Sequence, residues 1–291
     1  MRVANGEVAN GEWYVGQART SRHAAVCFPL AIRYSPFAVF MISAHHVTYT
    51  LRLADTALVL GHWLSQWSSR APTLEEDIAL SNIALDHVGQ ARALYAHAAK
   101  LEGKGRTEDD LAFMRDAPAF LNVQLVEREN GDFAQTMARQ LFYSAFAVPH
   151  FKGLTASNDA EIAGVAAKAA KECAYHLRHA SEWVIRLGDG TEESRRRMQD
   201  GVDELWMHTG ELFEVDDTDR AMIAAGIAVD AEPLKAVWDQ TIGDVFAEAT
   251  LTKPKFGWMA SGGRRGHHTE HLGPLLADMQ SLHRAYPGVK W

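Results

Sequence analysis

TLEEDIALSNIALDHVGQARALYAHAAKLEG, residues 73–103, is the stretch that decides the fold. Its apolar residues recur every three to four positions, which is the period of an amphipathic α-helix. Thr73 and Glu76 have the spacing of a capping box, in which each side chain satisfies a backbone N–H of the first turn. Gly103 is predicted to end the helix just after Leu101. One face of this helix mixes apolar and polar side chains: Glu76, Leu80, Ile83, His87, Gln90 and Leu94.

Helical signals recur along most of the chain. Residues 53–67 form an apolar stripe that predicts a first long helix. Asp132 is predicted to cap a third long helix, which is bent or ends near Pro149. Asn158 is predicted to cap a fourth long helix, which ends at Gly188. Shorter helices are predicted at residues 108–114, 191–213, 232–250 and 272–285. Four long helices with short connections predict an all-α antiparallel bundle with additional C-terminal helices.

Charge and cysteine usage limit the classes of partner. The 291 residues carry a net charge of −8 and two distant cysteines, Cys27 and Cys173. Nucleic acids and anionic membranes bind basic faces, so neither is expected as a partner. The apolar run at residues 24–44 is interrupted by prolines and an arginine, so it is not predicted to span a membrane. Cysteines without disulfide or zinc spacing fit a cytoplasmic protein.

The N-terminal stretch differs from the rest of the chain. Residues 3–12 read VANGEVANGE, a direct repeat without any apolar period. We therefore expect residues 1–46 to be an extension that is disordered or arises from an early start site, with Met41 as the natural start. Residues 47–291 are expected to form one helical domain.

Polar residues at ligand-like spacing lie on two of the predicted long helices. His87 and Gln90 are one turn apart on the second helix, and Cys173 and His176 on the fourth. A di-iron bundle takes Glu-x-x-His from each of two helices. None of the 14 histidines has an acid three residues before it, and residues 51–66 contain no glutamate. The four polar residues are therefore either hydrogen-bonded core residues or a metal site that has lost its ligands.

Several long motifs occur in one order: DIALSNIALDHVGQARALY (77–95), NGDFAQTMARQLF (130–142), KECAYHLRHASEWVIRLGDGT (171–191), ELWMHTGELF (204–213) and GHHTEHLGPLLADMQ (266–280). Through them the chain resembles, from Tyr49 to Trp291, the family shared by the A and C subunits of phenylacetyl-CoA epoxidase. The resemblance implies a ferritin-like bundle and a role in phenylacetate breakdown.

The same resemblance implies which kind of subunit this chain is. The catalytic A subunit has Glu-Leu-Gly-His where this chain has His87 to Gln90, and its second Glu-x-x-His falls on Cys173 and His176. These four are then vestigial ligand positions: the chain has no catalytic residues and no cofactor of its own. The expected partner is the A subunit, which holds the di-iron. The complex uses O2 and reducing equivalents that a separate reductase subunit delivers from NADPH, and phenylacetyl-CoA is contacted where the A subunit and this chain meet. Two alternatives are an oxygenase with an unusual metal site and a free-standing acyl-CoA-binding protein.

Two further polar segments precede the last helix. GGRRG, residues 262–266, has the arginines and glycines that suit a CoA phosphate, but a flexible surface loop has the same composition. HHTEH, residues 267–271, contains three imidazoles and a carboxylate. Because consecutive residues cannot all point inward, a polar loop or an interface segment is expected there in preference to a metal site.

Overall fold

The computed structural model describes residues 36–255 and 257–289, with side chains from residue 43 onward. Ten α-helices are present in this described part: α1 Pro36–Ser65, α2 Leu74–Glu102, α3 Glu108–Phe113, α4 Gln124–Glu127, α5 Phe133–Leu154, α6 Ala160–Gly188, α7 Glu192–Trp206, α8 Asp217–Ala224, α9 Leu234–Glu248 and α10 Leu272–Ala285. Short 3-10 segments lie at Ala117–Ala119, Gly210–Phe213 and Gly263–Arg265. The described residues contain no strand.

The four long helices form the bundle. A short connection joins α1 to α2, so these two helices are antiparallel. A short connection likewise makes α5 antiparallel to α6, and α2 packs on α6. One continuous apolar core runs between them. The remaining helices pack around this core, α7 and α9 on α5 and α8 on α1. The prediction of an all-α, ferritin-like bundle with additional C-terminal helices is confirmed. Among the described helices, none combines the length and apolarity that crossing a bilayer requires.

The ends of α2 show where local sequence signals hold and where they fail. Thr73 accepts a hydrogen bond from the backbone N of Glu76, and Gly103 ends the helix in the left-handed conformation at φ +66°. The predicted capping box is wrong in its second half. The Glu76 carboxylate does not return to the cap but binds His179 Nε2 at 2.7 Å. A tertiary contact to α6 therefore replaces the local one.

The structure also refines the predicted ends of three other helices and adds one helix. Asp159, not Asn158, caps α6, because its Oδ1 accepts from the first backbone N–H groups while Asn158 Nδ2 binds Ala225 O. The predicted helix over residues 191–213 ends at Trp206 and continues as a 3-10 segment. Helix α8 was not predicted. The sequence feature that indicates its start is the capping box formed by Asp216 and Asp219. Pro149 lies inside α5, so that helix does not end there.

Helix α1 begins at Pro36, before the boundary that we expected at residue 47. Two described histidines in this early part contact the bundle. His45 Nδ1 lies 3.0 Å from Thr218 Oγ1, and His46 Nε2 lies 2.8 Å from Asp159 Oδ2. The end of the predicted extension is thus helix and belongs with the bundle. Residues 1–35, for which we predicted disorder, lie outside the described residues.

A buried ionic network ties α1 to the segment that follows α3. The Asp55 carboxylate is fully buried and accepts hydrogen bonds from Tyr95 Oη at 2.5 Å and from the backbone N of Leu121 at 2.8 Å. The Arg115 guanidinium pairs with the same carboxylate and lies over the Phe120 ring. A buried charge needs this many partners to offset its lost hydration. Asp55 therefore stabilises the packing of α1 against the segment after α3 and is not available as a metal ligand.

Candidate functional site

The four residues singled out by their spacing form one buried cluster between α2 and α6. His87, Gln90, Cys173 and His176 are at most 3% exposed. The His87 and His176 rings face each other with their centroids 5.0 Å apart. Tyr143 on α5 closes the cluster, its ring centroid 5.8 Å from that of His87. We call these five residues the interior polar cluster.

Two carboxylates reach this cluster and both are already bound. Asp86 Oδ2 lies 3.1 Å from His176 Nε2. Glu172 Oε2 accepts a hydrogen bond from Gln90 Nε2 at 2.9 Å, while its other oxygen pairs with Lys168 at 2.6 Å. Glu172 precedes His176 by one helical turn. Its position next to Gln90 depends on the packing of α2 against α6, which one helix alone does not reveal.

Burial makes the cluster electrically neutral at its centre. It lowers the pKa of His87 well below the ordinary value, and the neighbouring His176 lowers it further. Burial also lowers the pKa of His176, although Asp86 opposes this. The pKa values of the Cys173 thiol and the Tyr143 hydroxyl are raised by burial. Neutral imidazoles and a protonated thiol are therefore the resting state, and Cys173 is not a nucleophile.

Helix α1 passes the cluster without adding a ligand. Gly61 is the residue opposite His87: a Cβ placed on it would lie 3.1 Å from both Ala84 O and His87 Cβ. Glycine is needed here because the two helix backbones approach closely. The sequence of α1 contains one acid, Asp55, which the network with Arg115 occupies. A carboxylate bridge from α1 to the cluster is therefore absent from the described structure.

The donor set does not fit a di-iron centre. Two ferrous ions carry a charge of +4, which about four carboxylates balance in sites of this type. The cluster offers Asp86 and Glu172, and Glu172 is compensated by Lys168. Gln90 stands where a histidine would be required and Cys173 where a glutamate would be required. The residues present would leave much of the metal charge unbalanced in a low-dielectric interior.

Residues 262–266 form a folded loop around a buried carboxylate. Glu211 is fully buried and accepts hydrogen bonds from the backbone N of Gln124, Gly262 and Arg264 at 2.8 to 3.0 Å. The Arg264 guanidinium pairs with Asp219 at 2.5 Å. This arginine is thus already engaged within the protein. A CoA phosphate contact at this segment stays a prediction, and the structure gives it no free guanidinium at Arg264.

Residues 267–271 also act as a structural segment. His268 Nδ1 lies 2.8 Å from Glu127 Oε2, and its Nε2 lies 2.9 Å from Phe120 O. Both side chains of this pair are buried. His271 has a different partner, Glu129, at 3.1 Å. The three imidazoles therefore do not share a partner, and His268 binds the segment to Glu127 of α4 with one ring nitrogen and to Phe120 with the other.

A cleft that the sequence did not predict lies beside the interior polar cluster. Its cavity volume is about 60 Å³, and Tyr143 contributes to both its wall and the cluster. Its lining is largely aromatic and aliphatic, with two arginines at one side: Tyr49, Leu53, Phe146, His150, Arg52 and Arg264. Arg52 binds Asp216 at 2.5 Å, so the charges at this side are paired.

Fold and cluster together define a ferritin-like helical bundle that keeps polar side chains at ligand spacing but lacks the carboxylates of a di-iron site. The chain belongs to the phenylacetic acid catabolic protein family that the A and C subunits share, whose sequence model matches residues 41–291. It is similar to the C subunit of 1,2-phenylacetyl-CoA epoxidase from Escherichia coli strain K12. The two are 49% identical over 243 residues, which cover 84% of this chain and 98% of that protein.

Proposed function

We propose that this chain is a non-catalytic subunit of a cytoplasmic 1,2-phenylacetyl-CoA epoxidase that acts in phenylacetate degradation. The observation that carries the proposal is the interior polar cluster, which has histidine, glutamine and cysteine where a di-iron site needs glutamate and histidine. The similarity to the Escherichia coli C subunit supports it, because the match spans almost the whole of that protein. The chain then contributes structure, and the metal chemistry belongs to a second subunit.

Its partner is a catalytic A subunit of the same family, which holds the di-iron centre that supplies oxygen activation. The surface available for this partner is an apolar stripe on α2. Its members fall within an arc of about 80° on the helix surface, and Leu74 and Leu85 are 72% and 67% exposed. The stripe consists of Leu74, Ile78, Leu85 and Val88. Exposed apolar side chains grouped on one face of a helix are typical of protein interfaces.

Helix α2 therefore has two roles. Its inner face carries His87 and Gln90, which pack against α6, and its outer face carries the stripe. A partner docked on the stripe is held by the same helix that the interior polar cluster anchors. Phenylacetyl-CoA is expected where the two subunits meet, so this chain shapes the substrate entrance without touching the reacting atoms.

Reconstitution tests this function. The purified chain, given phenylacetyl-CoA, reductase, NADPH and O2, should form no epoxide, and addition of the catalytic subunit should give turnover. Leu85→Asp should weaken the complex by at least tenfold, because a buried carboxylate in an apolar interface is left unpaired. The matched control is Leu282→Asp, a leucine that is 54% exposed on α10, which should leave the complex intact.

The two alternatives give different results in the same experiment. Turnover by the chain alone would identify it as an oxygenase with an unusual metal site. Tight binding of phenylacetyl-CoA, without complex formation and without any stimulation of the catalytic subunit, would identify a free-standing acyl-CoA-binding protein.

A further inference from the structure

A second group of ligand-type side chains lies near one end of the bundle. His46 on α1, His97 on α2 and Asp159 at the start of α6 converge there. His46 Nε2 lies 2.8 Å and His97 Nε2 lies 2.7 Å from the same oxygen, Asp159 Oδ2. All three ligand atoms lie within 4.8 Å of one another. His97 follows His87 by ten residues, so the group is roughly 15 Å along α2 from the interior polar cluster.

The Asp159 carboxylate is oriented by the helix that it caps. Its Oδ1 accepts hydrogen bonds from the backbone N of Glu161 and of Ile162, both at 2.9 Å. The carboxylate is therefore fixed by one oxygen while the other, Oδ2, points at the two imidazoles. Hydrogen bonds that hold a ligand in place in this way are a regular feature of metal sites.

The His46 imidazole meets the carboxylate where little solvent reaches. Its Nε2 lies 2.8 Å from Asp159 Oδ2, although the contact lacks the geometry of a hydrogen bond. The two side chains are 14% and 8% exposed. The His46 ring nitrogen is therefore close to the carboxylate oxygen without a well-formed hydrogen bond that a bound ion would have to break.

We propose that His46, His97 and Asp159 bind one divalent transition-metal ion of the zinc class. Two imidazole nitrogens and one carboxylate oxygen are ligands that zinc accepts, with solvent as a fourth. Bond lengths near 2.1 Å place ligand atoms roughly 3.4 Å apart in tetrahedral geometry. The two nitrogen–oxygen separations of 2.8 and 2.7 Å therefore need to open by about 0.6 Å. The side chains are 8 to 14% exposed, which leaves room for a solvent ligand. A bound ion fastens the early part of α1 to α2 and α6.

Calorimetry on the full-length chain tests the site. The chain is treated with EDTA, exchanged into chelator-free buffer and titrated with zinc chloride; binding of one zinc per chain is expected. Co²⁺ serves as a spectroscopic probe and should give the visible absorption of a tetrahedral nitrogen and oxygen site. His97→Gln and Asp159→Asn should each weaken zinc binding by more than about 100-fold, because loss even of a second-shell partner costs 10 to 100-fold.

Matched controls separate this site from unspecific binding. Asn is as good a helix cap as Asp, so Asp159→Asn should keep the far-ultraviolet circular dichroism of the parent. Glu161→Gln removes an exposed acid from the same helix turn and should leave zinc affinity unchanged. The double variant His267→Gln/His271→Gln should also bind one zinc. The proposal is overturned if the parent chain binds no zinc, if Asp159→Asn binds as tightly as the parent, or if the double variant has lost the binding.

Discussion

His268 and Glu127 form a buried ion pair whose loss should be measurable. The imidazole faces a carboxylate oxygen on one side and a backbone carbonyl on the other, at 2.8 and 2.9 Å. Both partners are acceptors, so the ring must donate from both nitrogens and is therefore a cation. In agreement, the pKa of His268 is raised: burial opposes the shift, but the hydrogen bond to Glu127 and its charge outweigh that effect.

Replacing this histidine by leucine leaves the carboxylate buried without its counter-ion. Removal of one partner of a buried pair costs about 3–5 kcal/mol. In the variant, Glu127 still accepts hydrogen bonds from Asn122 Nδ2 and from the backbone N of Thr269. We therefore expect the free energy of unfolding to fall by about 3 kcal/mol in His268→Leu, the lower end of that range. For a domain of this size that corresponds to a loss of about 6–12 °C in Tm. His267→Leu, a change at the exposed neighbouring histidine, should cost within about 0.5 kcal/mol.

Urea unfolding as a function of pH provides the assay. Because the folded pKa of His268 is raised, the stability it contributes is fully present below the unfolded value of about 6.5. It is lost as the pH rises through the folded pKa. The parent should therefore lose stability over that window, and His268→Leu should lack this component. A cost below 1 kcal/mol, or the same pH dependence in the parent and the variant, would refute the ion-pair reasoning.

Two further predictions concern the neighbourhood of the interior polar cluster. Gly61→Ala should lower the free energy of unfolding in urea by about 1–2 kcal/mol, because the new methyl group meets the α2 backbone. Gly164→Ala, on the open face of α6, should raise it by about 0.5–1 kcal/mol. Equal effects of the two changes would contradict the close approach of α1 and α2. In a Cys27→Ser background, Cys173 should not react with Ellman's reagent at pH 8 until urea unfolds the chain, because burial raises the pKa of its thiol. Rapid reaction of the folded chain would show that the cluster is open to solvent.

Local sequence signals predicted the helices and the composition of the cluster well. Asp132 caps α5 and Gly103 ends α2 as expected, because each device acts within one turn of backbone. The helical period puts His87 on the mixed apolar and polar face of α2, and the structure buries that residue with its ring 5.0 Å from the His176 ring of α6. The absence of Glu-x-x-His spacing is likewise a property of single helices that can be read directly from the sequence.

Contacts between distant segments could not be predicted in the same way. His268 and Glu127 are 141 residues apart, and His46 meets Asp159 only because α1 and the start of α6 both lie beside His97 of α2. The capping box at Glu76 failed for the same reason: His179 offers that carboxylate a partner from another helix. Helix α8 has eight residues, too few to show a clear apolar period.

The central claim is that the interior of this bundle cannot hold a di-iron centre. The iron content of the isolated chain tests that claim most directly. The chain is purified alone, loaded anaerobically with excess ferrous iron, desalted and assayed for bound metal, with the catalytic subunit treated in parallel. Loading is measured on the Asp159→Asn variant, so that the separate His46, His97 and Asp159 site does not contribute metal. The interior polar cluster predicts well under one iron per chain in that variant, because two carboxylates, one of them paired with Lys168, leave most of the metal charge uncompensated. Two tightly bound irons per isolated chain would contradict it.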